Sequence, residues 1–173
     1  CPDRAVAKEM EQYLSALKQT GNTSGGSIRT IVHGVPAGWG EPLFNKLPAA
    51  LSAAMFSINA VHGFSYGSGF DAAKMDGLSH NDTFRYAKGE VYTETNNAGG
   101  LLGGISNGMP LYFDVAFKPL STVFQEQQSI TKTGRTRSIQ AIGRHDPCAV
   151  PRAVAIVEAM TNLVLADACL LQR

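Results

Sequence analysis

Residues 111–117 read Leu-Tyr-Phe-Asp-Val-Ala-Phe, and the reading of this stretch decides the fold. Leu111, Phe113, Val115 and Phe117 fall on one side of an extended chain, and Tyr112, Asp114 and then Lys118 fall on the other. Side chains alternate faces along a strand, so a period of two with one apolar set predicts a half-buried strand. Pro119 follows directly and ends it.

Working outward, GGLLGGISNGMP at 99–110 is crowded with glycine, and residues 71–98 before it are polar and mixed. DGLSHND and TETNN mark that earlier segment as loop, and a loop of such length signals function or disorder. Residues 58–66 read as another strand, ending in GSGF, and residues 27–35, SIRTIVHGV, as a strand rich in β-branched residues. A helix is expected over 43–57, with Phe44, Leu47, Leu51, Ala54 and Met55 on its apolar face and Pro48 near its start. Val6, Met10, Tyr13, Leu14 and Leu17 recur at helical spacing over 3–20, and Gly21-Asn22 stops that helix. Downstream, 129–142 reads as a hairpin or extended pair around TGRTR. A final helix over about 150–171 tolerates Pro151 in its first turn. Helix, strand, helix, strand, loop, strand, strand, helix contains no regular βαβ crossover. The predicted class is therefore α+β with a largely antiparallel sheet.

With 173 residues, 44% hydrophobic and 17% charged, the chain can build a substantial core and does not resemble a disordered one. Residues 1–173 are expected to form a single unit. A formal net charge of +1, with no Lys/Arg-dense stretch, leaves no footprint for nucleic acid. The apolar run 149–171 is interrupted by Arg152, Glu158, Asn162 and Asp167, which predicts a buried helix and no membrane span. Cys1, Cys148 and Cys169 are odd in number and share no CxxC spacing. That argues against a disulfide framework or a zinc site and fits a reducing cytoplasm. The chain starts at Cys1, not Met, and reads as a piece of something longer.

Three stretches carry chemistry. GRHDPC at 143–148 sets His145, Asp146 and Cys148 close together, but no second ligand cluster exists, and His33, His62 and His80 lack helical i, i+4 spacing. A metal is not expected there. A thiol ahead of a helix start can be activated, yet free cysteines are most often small buried hydrophobes. Arg144 and Asp146 allow two readings. One is a loop ion pair with a helix cap, and the other is a phosphate contact beside a proton-handling carboxylate. GGLLGGISNG is either a mobile turn or a backbone that approaches an anion or flat cofactor closely, and it matches neither common nucleotide fingerprint. KPLST at 118–122 suits phosphate or carboxylate recognition but is common in turns.

Together the stretches are specific. GEPLFNKL, SINAVHGFSYGSGF, NNAGGLLGGISNGMP, AFKPLST and GRHDPCAVPRAVAIVEAM, in that order, closely resemble the chorismate synthase family. The resemblance runs from CPD at the start to LVLAD near the end, and the chain looks like the C-terminal half of such an enzyme. It implies a cytoplasmic lyase of aromatic amino-acid biosynthesis. That enzyme converts 5-enolpyruvylshikimate 3-phosphate to chorismate by 1,4-anti elimination of phosphate and a proton. It implies reduced FMN, with NADPH as a possible reductant in the parent protein. It also implies half of a β-α-β sandwich, with helices between antiparallel sheets, and a homotetramer that includes the missing N-terminal half.

By matching motif, the implied flavin contacts are Asn59 and Ala60 of SINAV, Gly103 of LLGGIS, Lys118, Pro119, Leu120, Ser121 and Thr122 of KPLST, and Arg144 of GRHDP. Asn97 of TNNAGG sits in a family motif near the flavin. Asp146 resembles the family aspartate near the flavin N5 that assists proton movement, and Arg144 is also implied to face substrate. The chain departs from the family in lacking its two catalytic histidines and its phosphate-gripping arginines. None of His33, His62, His80 or His145 matches those histidines, and KPLST differs from commoner forms at its third position. The isolated chain is expected to lack elimination activity and to bind FMN weakly at best. The alternative is a non-catalytic FMN-binding or assembly module.

Overall fold

A computed structural model describes residues 1–172. Along the chain run α1 (Arg4–Thr20), β1 (Gly26–Val32), α2 (Leu47–Phe56), β2 (Val61–Tyr66), a 3-10 helix (Gly69–Lys74) and α3 (Gly77–His80). Then follow β3 (Phe84–Ala87), β4 (Glu90–Thr93), β5 (Leu101–Leu102), β6 (Ile105–Ser106), β7 (Leu111–Phe117), β8 (Gln127–Ile130), β9 (Thr136–Ile139) and α4 (Val150–Leu171). The fold is α+β, with the β3–β4, β5–β6 and β8–β9 pairs all antiparallel. The chain divides into two compact units, one of residues 1–26 and 117–151, the other of residues 27–116 and the chain from Arg152 onward.

In the larger unit, β7 is the middle strand of a three-stranded sheet in the order β1-β7-β2. Leu111, Phe113 and Val115 are buried, while Tyr112 and Asp114 alternate with them half-buried, as the period of two predicts. Leu47, Leu51 and Met55 of α2 and Val157 and Thr161 of α4 complete the nearly dry core. Each of the apolar side chains among them contributes about 1.5–3 kcal/mol by leaving water. Phe64 of β2 lies tilted on Phe113, with centroids 5.3 Å apart. On the outer face the Arg29 guanidinium forks onto both Asp114 oxygens at 2.8 Å and overlies the Tyr112 ring. Hydrogen bonding to Asp114, and then its charge, raise the Arg29 pKa. Solvent screening limits an exposed pair of this kind to about 0.2–1 kcal/mol.

Several boundaries differ from expectation for local reasons. The helix expected from residue 43 starts at Leu47, with Pro48 in its first turn. Ahead of it Phe44 is left-handed (φ 61°) and 89% exposed, off the apolar face assigned to it, because Asn45 N–H closes a tight turn on Leu43 C=O. The strand expected from 58 begins at Val61, since residues 58–61 form a turn. The segment 71–98 is structured. Its β3–β4 hairpin is closed by Lys88 and Gly89, both at positive φ, the two-residue geometry that hairpins favour. Lys-Gly is not the usual Asn-Gly signal, so the turn was hidden.

Ser106 of β6 is 1% exposed and holds the segment 36–39. Its hydroxyl donates to Pro36 C=O at 2.6 Å and accepts from Trp39 N–H at 2.9 Å. Ser106→Ala would remove both of these part-buried bonds, so we expect a loss of about 1–2 kcal/mol in urea-monitored stability with an unchanged m-value.

The final helix is long and apolar enough, by length and composition, to cross a membrane. Ala153, Val157, Thr161, Leu165 and Ala168 form a buried stripe at helical spacing, and the Thr161 hydroxyl is satisfied by Val157 C=O at 2.7 Å. Val154, Ile156, Leu163 and Leu170 on its other sides are exposed, so the expected buried helix is covered on one stripe only.

In the smaller unit, Asp3 caps α1 by accepting from Ala5 and Val6 N–H, and left-handed Gly21 closes its other end. Leu17 is buried, but Val6, Met10 and Tyr13 of the predicted apolar face are exposed. The β8–β9 hairpin turns through residues 131–135, overlapping the TGRTR at 133–137 around which an extended pair is expected.

Candidate functional site

The larger unit holds an open cleft of about 690 Å³, lined among others by Ser52, Phe64, Ser68, His80, Asn97 and Gly103. Residues 95–100, TNNAGG, form the wall that fixes its shape. There the backbone crosses residue 67 so closely that a Cβ on Gly67 would lie 2.1 Å from Asn97 C=O. A Cβ on Gly99 would lie 2.4 Å from Gly67 N. The asparagines replace a ladder. Asn96 donates to Pro110 C=O and accepts from Gly100 N–H, both at 2.8 Å. The Asn97 amide donates to Ser79 and His80 C=O at 3.2 Å, and its oxygen accepts from the Ser68 hydroxyl at 3.3 Å. Both Asn97 donors are thus engaged within the protein, leaving oxygen lone-pair capacity for a ligand.

The β5–β6 hairpin follows, with Gly103 and Gly104 at φ 62° and 100° in its two-residue turn. Both central residues of such a turn are left-handed, hence the double glycine. Gly104 C=O accepts from Leu47 N–H at 2.7 Å, satisfying a donor at the start of α2. Gly103 faces open space on its outer side, so its backbone is accessible.

Asn59 and Ala60 occupy the centre of the turn 58–61, closed by Val61 N–H to Ile58 C=O at 3.3 Å. Ala60 is left-handed at φ 70°, where a Cβ costs about 1–2 kcal/mol. Backbone strain of this kind clusters at ligand sites. Ala60→Gly is therefore expected to stabilise the protein by about 0.5–1 kcal/mol, net of glycine's larger unfolded-state entropy, and calorimetry should show a higher Tm.

In the smaller unit, residues 23–25 tie the two remaining motifs together. The Thr23 hydroxyl donates to Leu120 C=O at 2.6 Å and Ser24 N–H donates to Pro147 C=O at 2.9 Å. Gly25 runs against the backbone at 117–119, where a Cβ would meet Phe117 C=O at 2.2 Å. KPLST and GRHDPC are therefore pinned to either side of one short segment. Lys118, Ser121 and Arg144 are exposed, and Thr122 is half-buried. Among the described residues neither Lys118 nor Arg144 is ion-paired. Asp146 is half-buried and borders a small cavity of about 20 Å³ with Lys18, Asn22, Thr23, Phe124 and His145. The His145 ring lies 5.5 Å from that of Phe124. Buried Cys148 directs its thiol to Gly25 C=O at 3.9 Å. Neither geometry makes a Cys–His nucleophile. Among the described residues no group of three His, Cys, Asp or Glu side chains could hold a metal ion.

Lys118, Pro119, Leu120, Ser121, Thr122, Arg144 and Asp146 thus share the smaller unit, and Asn59, Ala60, Asn97 and Gly103 share the larger. Asn97 and Gly103 line the cleft. Asn59 and Ala60 are not among its lining residues. Sequence reading does not single out His80 as a cleft residue or Asp82 as its neighbour, because SHND falls in a segment expected as loop, nor Ser68, which falls in the GSGF that ends the expected strand.

The family model described as chorismate synthase matches residues 1–170. Proteins named chorismate synthase from Christiangramia forsetii and Flavobacterium psychrophilum are 54% and 53% identical, covering 96% and 100% of this chain. Only 46% and 48% of those proteins is covered, so the chain spans about half the length of the curated relatives it matches. A solved structure titled Crystal Structure of Chorismate Synthase superposes with a TM-score of 0.77 at 32% identity. It covers 95% of this chain and 43% of the other.

Proposed function

The chain belongs to the chorismate synthase family, and on that premise we propose that it supplies part of an FMN-dependent lyase site for 5-enolpyruvylshikimate 3-phosphate. The observation that carries the reading is the pair Lys118 and Arg144, cations without ion pairs on two segments pinned to residues 23–25. FMN and the substrate both carry phosphate, and a planar guanidinium and an ammonium suit such anions. In the smaller unit two cations and the Ser121 and Thr122 hydroxyls fit a phosphate-bearing cofactor in kind, and the larger unit, taken by itself, offers an accessible Gly103 backbone in a left-handed turn. Reduced FMN, when bound, supplies a transient electron and helps remove the C6 hydrogen, with no net redox change.

The chain's own residues take a share of the remaining work. Arg144 stabilises charge on the departing phosphate as the C–O bond breaks. Asp146, a half-buried carboxylate on the same segment, handles the proton lost from C6. Lys118, Ser121 and Thr122 hold phosphate. Asn59, Ala60 and Gly103 offer backbone groups. In this reading NADPH is the source of reducing equivalents for the parent protein, which is cytoplasmic and a homotetramer, and the remaining family length supplies the histidines and further arginines. Steady phosphate release by the 173-residue chain alone, with reduced FMN, would refute that division of labour.

A second reading is favoured by the exposed apolar residues of α1 and α4, namely Val6, Met10, Tyr13, Val154, Ile156 and Leu163. They suit an assembly module that buries these faces on a partner chain. Gel filtration with and without FMN separates the two, since an assembly module changes size irrespective of flavin.

A further inference from the structure

Asp82 belongs to no motif assigned to the site, yet three donors from the TNNAGG wall converge on it. Its Oδ1 accepts from the Thr95 hydroxyl and from Asn97 N–H, both at 2.7 Å, and its Oδ2 accepts from Ala98 N–H at 2.9 Å. The same wall is held from the far side, where Ser68 N–H donates to Asn97 C=O at 2.7 Å. The Asn97 amide in turn grips the carbonyls of Ser79 and His80, so segments 79–82 and 95–98 are zipped together through Asp82 and Asn97. Leu101 N–H donates to Ala98 C=O at 3.3 Å, which carries the constraint from the wall into the β5–β6 hairpin and Gly103.

We infer that Asp82 is a positioning residue, whose carboxylate sets the TNNAGG wall and through it places Asn97, His80 and the Gly103 turn around the cleft. A carboxylate can accept all three bonds at once, whereas an amide presents a donor to at least one N–H or hydroxyl. Burial works against its charge, but the bonds from Ala98, Thr95 and Asn97, with the nearby His80, lower its pKa below the ordinary 3.8. The clamp is therefore intact at neutral pH and is released as pH falls through that lowered value. The link to ligand binding rests on the flavin reading above. The clamp itself does not.

The test is an amide NMR titration of the 173-residue chain, as wild type, Asp82→Asn and Asp82→Glu. In the wild type, Asn97, Ala98 and Gly103 amide shifts should follow one common midpoint below 3.8. In Asp82→Asn that midpoint should vanish from Gly103, while the Val115 amide in the sheet keeps its neutral-pH shift. Asp82→Glu should restore a midpoint at Gly103, showing that charge and not side-chain length carries the effect. A Gly103 amide indifferent to Asp82 in the wild-type titration would overturn the inference, reducing Asp82 to a local cap, and that measurement needs no variant to fold. Adding oxidised FMN up to millimolar concentration tests the ligand link. Asp82→Asn should weaken FMN-induced shifts at Gly103 by about tenfold in apparent affinity. Equal affinity in wild type and Asp82→Asn would overturn the positioning role. If FMN shifts no amide in the wild type, the chain alone does not hold flavin at this cleft, and Asp82 is judged by the Gly103 midpoint alone.

Discussion

Gly67→Ala is expected to destabilise the larger unit by about 4 kcal/mol or more, a large part of the stability of an ordinary domain. Two costs add. The residue sits at φ 57°, where a Cβ is strained by about 1–2 kcal/mol. The new Cβ would also lie 2.1 Å from Asn97 C=O and 2.8 Å from the Ala98 carbonyl carbon, and backbone atoms cannot rotate away as a side chain would. Relief requires the TNNAGG wall to move, breaking bonds from Ser68 and to Asp82. Gly103→Ala is the control. Its φ of 62° is nearly the same, but nothing lies within 4 Å of its Cβ position, so about 1–2 kcal/mol is the whole cost. Urea unfolding followed by the single tryptophan, Trp39, whose N–H bonds Ser106, reads both variants in this unit. Equal losses for the two would show that conformation, and not the backbone crossing, dictates glycine here.

The contrast explains what sequence reading reached. Alternation in 111–117 places β7 correctly because every second residue meets the same dry core, a signal each residue repeats. The helix over Val150–Leu171 is likewise legible from its apolar run and from Pro151 in the first turn. The crossing at Gly67 and Gly99 is not legible, since two glycines 32 positions apart look like two unrelated turns. Phe44 misleads for a related reason. An aromatic at helical spacing signals a buried face, but a left-handed turn on its own peptide throws it into solvent.

The site was read through motifs, and motifs record which residues recur without saying which bonds they make. Asn97 is the clearest case, because its amide donors close on Ser79 and His80 within the protein. A lone sequence reports such a residue as polar and leaves its partners unknown. Asp82 is invisible in the same way, since its three donors lie 13 to 16 residues downstream.

Arg144 carries the largest expected functional effect. On the proposed function, Arg144→Ala in the assembled enzyme with reduced FMN should lower phosphate release from 5-enolpyruvylshikimate 3-phosphate by about two to three orders of magnitude. The reason is where its charge stands. Arg144 is exposed, and no described acid pairs with it, so the guanidinium is not neutralised before an anion arrives. Its segment is held by Ser24 N–H to Pro147 C=O, so the charge enters the site with little reorganisation. Arg144→Lys keeps the charge but loses the planar fork, and should recover only part of the rate. Cys148→Ala, four residues along the same segment, should leave the rate within a few fold, because the buried thiol faces Gly25 C=O and no base. That pair of outcomes divides the candidate chemistries of GRHDPC. An electrostatic site fails with Arg144 and survives without Cys148, whereas a thiol nucleophile would do the reverse.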